Sequence, residues 1–210
     1  MISSDYRKKM AESWFTYLQI QICKSFERLE NNKLKFIKRD WYKKSIKEGG
    51  GTSYLLTGGE IFDKVGVNKS TVSGIFPKRF RSQILGAKKK GKYWASGISV
   101  VAHMKNPKIP AVHFNTRYII TSKDWFGGGI DVTPVFKDKR QKKFIQKKLK
   151  ELCDNNDKNY KKYKDWCDKY FFLPHRGEPR GIGGIFFDYE MGNWEKNFKF
   201  VREVGLSFIE

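Results

Sequence analysis

The chain has 210 residues, with 43 Lys and Arg against 22 Asp and Glu and a formal charge of +21. That length bounds it to one domain with enough apolar and aromatic residues to bury a core, and the charge asks for an anionic partner: nucleic acid, an acidic membrane surface, or a substrate with several carboxylates or phosphates. A lysine-rich solvated face is the plain alternative. Cys23, Cys153 and Cys167 show no C-x-x-C spacing, which excludes a disulfide framework and a zinc ribbon and points to a reducing, cytoplasmic compartment.

The N-terminal MISSDYRKKMAESWF has no apolar core of signal-peptide length, and no later run is long enough for an integral membrane segment. Phe15, Leu18, Ile22, Phe26 and Leu29 recur at helical spacing and predict an amphipathic helix over 4–29, with Ser3, Ser4 and Asp5 available to cap it. Asn31–Asn32 reads as a turn and Phe36–Lys44 as a strand carrying Trp41. Gly49, Gly50 and Gly51 read as a flexible turn feeding a strand at Ser53–Thr57. A phosphate loop is disfavoured there because no Gly-Lys-Ser/Thr follows. Glu60–Val67 reads as a short strand, with Gly66 and Gly74 as breaks. Arg79–Tyr93 is basic with Phe80 and Tyr93 interleaved, the composition of a nucleic-acid contact or of a solvated face.

The stretch 96–134 carries the densest chemistry. Read with period two, Ser99 and His103 share one face of a strand while Ile98, Val100 and Ala102 take the other. In the next strand His113, Asn115 and Arg117 share a face, against Val112, Phe114 and Tyr118. Such a pair lines a pocket. Gly127, Gly128 and Gly129 read as a turn that delivers Asp131 to it. Further on, 138–152 reads as a helix with Phe144, Ile145, Leu149 and Leu152 on its apolar face. A second helix spans 157–170. Tyr170–Glu190 reads as an aromatic strand, a charged glycine loop and a second aromatic strand. Gly205–Ile209 looks like the start of another element.

His103, His113 and His175 are the only histidines. They suit a zinc or non-haem iron site, a general acid–base role, or a neutral hydrogen-bonding pocket. Arg117, Arg176 and Arg180 present forks that match carboxylate or phosphate, or else surface salt bridges. No Ser-His-Asp elbow, Rossmann fingerprint, HExxH, flavin or haem signature is present, so any chemistry uses side chains or a co-substrate.

GGTSYLLTGGEIFDKVGVNKSTVSG, SGISVVAHMKNPKIPAVHFNTRY, WFGGGIDVTP and KYFFLPHRGEPRGIGGIFFDYE resemble, in order and spacing, the oxygen-dependent coproporphyrinogen-III oxidase family. The resemblance implies an α+β fold, a large antiparallel β-sheet with helices on both faces, and a homodimer. It implies oxidative decarboxylation of two propionates of coproporphyrinogen III to vinyls, with O2 as co-substrate and no organic cofactor. On the matching positions, Ser99, Asn115, Thr116 and Arg117 would bind substrate, His113 would donate a proton, and Asp131 would hold the pyrrole N–H groups. Some members are assigned a divalent metal on four histidines. His103, His113 and His175 match three of those positions, and the fourth falls at about Phe144. The family continues past Glu210, so the resemblance implies a single domain that is C-terminally incomplete, dimerising when that region is supplied. Two rivals compete: a basic nucleic-acid-binding protein without enzymatic activity, and a metal-dependent oxygenase built on His103, His113 and a carboxylate. The resemblance implies no nucleic-acid partner.

Overall fold

A computed structural model describes residues 3–209. The predicted first helix, α1 (Ser4–Leu29), buries Ala11, Phe15, Leu18, Ile22 and Phe26 along one stripe, and Leu29 turns out to solvent. Ser3 Oγ accepts the Tyr6 N–H and caps it. Among the described residues no helix is long and apolar enough to cross a membrane.

Seven strands form one antiparallel sheet in the order β1-β2-β3-β4-β5-β6-β9: β1 (Ile37–Tyr42), β2 (Gly49–Thr57), β3 (Phe62–Ile75), β4 (Lys92–Met104), β5 (Ala111–Ile120), β6 (Asp124–Thr133) and β9 (Ile185–Glu190). The first six run as a meander. The short pair β7 (Phe172–Leu173) and β8 (Glu178–Pro179) stands apart. Alternation along the strands gives the sheet two unlike faces. Val65, Val67, Val100, Phe114, Tyr118, Phe126 and Phe187 share the core face. There α1 and α4 (Trp194–Ser207) cover them: Phe126 stacks on Phe198, and Tyr118 meets Trp194 edge-on. Asp138 caps α2 (Lys139–Asp154), and Asn159 caps α3 (Tyr160–Tyr170). The helix α3 lies along β9 and touches both faces. Tyr163 packs on Phe187 on the core side, while Trp166 and Tyr170 pack on Phe186 on the other.

Several expectations change. Gly49–Gly51 and Gly127–Gly129 are strand, not turns: each triplet lies in register inside β2 or β6. Gly66 and Gly74 do not break β3, which runs through both, because a glycine flanked by paired neighbours keeps the ladder. The first aromatic strand shrinks to two residues in β7. Gly205–Ile209 does not start an element: it ends α4, whose Trp194, Phe198, Val201 and Val204 recur at helical spacing. Gly205 has no Cβ where the Leu18 side chain of α1 approaches, so the two helices pack closely. Phe144, expected on the buried face of α2, is exposed, while the expected Leu149 and Leu152 are buried there together with Cys153.

Candidate functional site

The face of the sheet away from α1 carries the polar residues singled out in the sequence. Ser99 of β4 lies opposite Asn115 of β5, Gly97 opposite Arg117, and Val101 opposite His113. One strand further, His113 faces Asp131, Asn115 faces Gly129 and Arg117 faces Gly127. The period-two reading therefore brings Ser99, His113, Asn115, Arg117 and Asp131 onto one surface. The glycines of β6 leave its middle bare, so the side chains of β5 lie against backbone. A cavity of about 380 Å³ opens over this face, lined by Trp41, Asn68, Ser70, Ser99, Asn115 and Arg117. Trp41 overhangs Gly51, where a Cβ would meet its ring.

Arg117 arrives already partnered. Its Nη1 donates to Asn115 Oδ1 at 3.0 Å, and its Nη2 donates to Asp188 Oδ2 at 2.8 Å. Asp131 is 2 % exposed and pairs with Arg180 of the loop after β8. Arg180 Nε and Nη2 both reach Asp131 Oδ2 at 2.7 Å, and its guanidinium stacks 3.9 Å from the Phe171 ring centroid. Asp131 Oδ1, buried against Gly181, has no hydrogen-bond partner. The pairing explains the loop: HRGEPRG folds back so that Arg180 neutralises a carboxylate that burial alone would make costly.

His113 is half-buried, and its Nδ1 lacks a partner. Burial pushes its pKa below 6.5, the Arg180 charge pushes it further down, and Asp131 only partly opposes them. The imidazole is therefore neutral at pH 7 with the face empty. His103 stands beside it, ring centroids 6.2 Å apart. His175 sits in the exposed turn between β7 and β8. Among the described residues no three His, Cys, Asp or Glu side chains converge as a metal-ligand set. The residues present do not fit the three-histidine site, because His175 stands in that exposed turn and no third ligand joins His103 and His113 among the described residues.

Thr116 alternates to the opposite face from Asn115 and Arg117. Its side chain is fully buried in the core, and its Oγ1 has no partner, so only its backbone borders the cavity. Asp188 and Trp125 belong to the site but were not singled out in the sequence. The signal was there: in IFFDYE, period two puts Phe186 and Asp188 on the same side. It was masked because the segment reads first as a hydrophobic strand.

The family profile described as Coproporphyrinogen III oxidase matches residues 10–210. The chain is 47% identical over 212 aligned positions to the oxygen-dependent coproporphyrinogen-III oxidase of Rickettsia akari (strain Hartford). That match covers 96% of this chain and 75% of the relative. Proteins of the same name from Rickettsia rickettsii (strain Sheila Smith) and Rickettsia bellii (strain OSU 85-389) are 47% and 46% identical, with the same coverage.

Proposed function

The chain belongs to the coproporphyrinogen III oxidase family, and from that membership we infer that it carries out the family's oxygen-dependent oxidative decarboxylation in porphyrin biosynthesis, with the open face of the sheet as its substrate site. In that reaction each of two propionates of coproporphyrinogen III becomes a vinyl group. Each loses its carboxyl carbon as CO2 and two hydrogens to O2, which leaves as H2O2, and the product is protoporphyrinogen IX.

The observation that carries the assignment of the site is the row His113, Asn115, Arg117 on β5 beside the bare glycines of β6. A tetracarboxylate macrocycle needs charged donors at its rim and an unobstructed surface beneath its ring, and that row supplies both. Arg117 binds a propionate through the N–H groups not used by Asn115 and Asp188. Ser99 and Asn115 hydrogen-bond the substrate rim, and Thr116 contributes backbone only. Asp131 accepts from the pyrrole N–H groups once the Arg180–Gly181 segment that buries its unpartnered Oδ1 moves aside, and it helps draw off a proton, which makes the ring electron-rich toward oxygen. His113, neutral beforehand, becomes a proton donor once a substrate carboxylate offsets the effect of Arg180. The same membership supports a homodimer in the cytoplasm, and the three free, buried cysteines fit a reducing compartment.

The test mixes the protein anaerobically with coproporphyrinogen III, admits oxygen and follows protoporphyrin fluorescence after oxidation of the product. We expect product from the wild type and a loss of at least about a hundredfold in turnover for Asp131→Asn. Substrate neither bound nor converted by the wild type would overturn the assignment, and full turnover by Asp131→Asn would remove Asp131 from the mechanism.

A further inference from the structure

One carboxylate of the open face has no part in the chemistry above. Asp188 lies at an irregularity between β6 and β9. Phe126 pairs with Glu190 and Gly128 with Phe187, so Asp188 and Tyr189 together oppose the single residue Gly127. This is a β-bulge, which disrupts the ladder locally, while Asp188 keeps the open face that alternation from Phe186 gives it. Tyr189 has a φ of 56°, in the left-handed region that a bulky residue seldom adopts, and its ring packs against Trp125. The surroundings hold this backbone in place against its local cost.

From that face Asp188 reaches Arg117. Oδ2 accepts from Arg117 Nη2 at 2.8 Å. Oδ1 accepts from Trp125 Nε1 at 3.1 Å and from the Tyr189 N–H at 3.0 Å. Gly127 lies beneath the pair: a Cβ at that position would meet Asp188 Oδ1 and then Arg117 Cζ and Nε. The glycine is the opening across which the two side chains meet. With Asn115 holding Nη1 at the other end, the guanidinium is fixed on two sides over β6. Two strands distant in the chain thus serve one contact: β6 with a glycine and an indole donor, and β9 with a bulge.

We propose that Asp188 is a positioning residue that fixes the Arg117 guanidinium, so that its remaining N–H groups meet a substrate carboxylate with their orientation already set. The part of this concerning substrate rests on the proposed function; the fixing of Arg117 does not. An unrestrained arginine surrenders rotamer freedom when it captures an anion, whereas one held beforehand has already lost it on folding. The pairing also sets specificity. Asp188 cancels the charge of Arg117, so a ligand gains through directed hydrogen bonds more than through net charge, which favours a planar carboxylate over an arbitrary anion.

Asp188→Asn tests this, because the amide oxygen keeps an acceptor for Trp125 and the Tyr189 N–H while the charge toward Arg117 is lost. In the resting protein, with arginine labelled by 15N, we expect resolved Nη1 and Nη2 signals for Arg117 in the wild type. In Asp188→Asn they should average together while the Trp125 indole resonance stays in place. In steady-state kinetics Asp188→Asn should raise KM for coproporphyrinogen III by about tenfold or more with kcat within about twofold, and should add nothing when placed in an Arg117→Gln background. Unaveraged Arg117 signals in Asp188→Asn would overturn the proposal, as would a KM effect that persists in full without Arg117. If the wild type turns over no substrate, the functional reading falls and the NMR result alone decides whether Asp188 fixes Arg117.

Discussion

Arg180 shows how a residue's role depends on what folds against it. Read singly it is a fork for a ligand carboxylate; in the structure its fork is taken by Asp131, and the electrostatics of His113 follow from that pairing. Arg180→Ala should leave the Asp131 carboxylate buried and unpaired, at a cost of about 3 kcal/mol in urea unfolding. It should also raise the His113 pKa, since a positive neighbour is removed, and the C–H resonances of the ring report that directly. The sign of the pH dependence follows. The folded pKa of His113 lies below the unfolded value of 6.5, so the unfolded chain takes up the proton first. The contribution of His113 to stability is complete above that value and is lost as pH falls through the folded pKa. Arg180→Ala should narrow that window from below. A His113 titration unchanged in Arg180→Ala would show that burial alone sets its pKa.

At the scale of the element, the glycine-rich strand β6 is the part of the fold least tolerant of change. A Cβ at Gly128 would meet Asn115 O at 2.5 Å, Thr116 Cγ2 at 2.8 Å and Phe187 Cζ at 3.0 Å. Those atoms are strand backbone and packed core, so none can move aside cheaply. Gly128→Ala should therefore destabilise the protein by about 1–3 kcal/mol. Gly66 of β3 makes the contrast: the nearest atom to a Cβ there is Asn68 Nδ2 at 3.9 Å. Gly66→Ala removes the entropy that glycine loses in a strand without adding a clash, and should stabilise by about 0.5–1 kcal/mol. Paired urea denaturation curves separate the two, and a loss of equal size at both sites would contradict the close-approach reading of β6. The two costs differ because of the neighbours that the sheet brings up to each position.

For the whole molecule, charge is the decisive quantity. Between Asp63 and Asp124 the chain contains no acidic residue, and this stretch makes β3, β4 and β5, the middle of the sheet. The open face thus looks out through a positive field, while the paired acids, Asp131 and Asp188, come from strands after it. A tetracarboxylate substrate is drawn toward such a surface. Raising ionic strength from about 0.05 to 0.5 M should lower kcat/KM several-fold and leave kcat nearly unchanged, because screening acts on encounter and not on the bound complex. A salt-independent kcat/KM would assign the lysine surplus to solvation alone. The basic connection between β3 and β4, with exposed Lys78, Arg79, Phe80, Lys88, Lys89 and Lys90, lies at one end of this sheet, away from the row on β5.

The amino-acid sequence by itself determined α1, because four of its five spaced apolar positions, Phe15, Leu18, Ile22 and Phe26, form one buried stripe. It also determined which side chains of β4 and β5 share a face, because alternation is a property of the strand alone. Its motifs carried the family. It did not determine which glycines bend the chain and which let strands meet, since Gly127–Gly129 reads as a turn until Arg117, Asp188 and Phe187 are packed over it. Nor did it determine the partners of its charged residues. Arg117 and Asp188 lie 71 positions apart, and Asp131 and Arg180 lie 49 apart. Pairings over such separations depend on the register of β5, β6 and β9 and on one bulge between them, and those exist only once the sheet has closed.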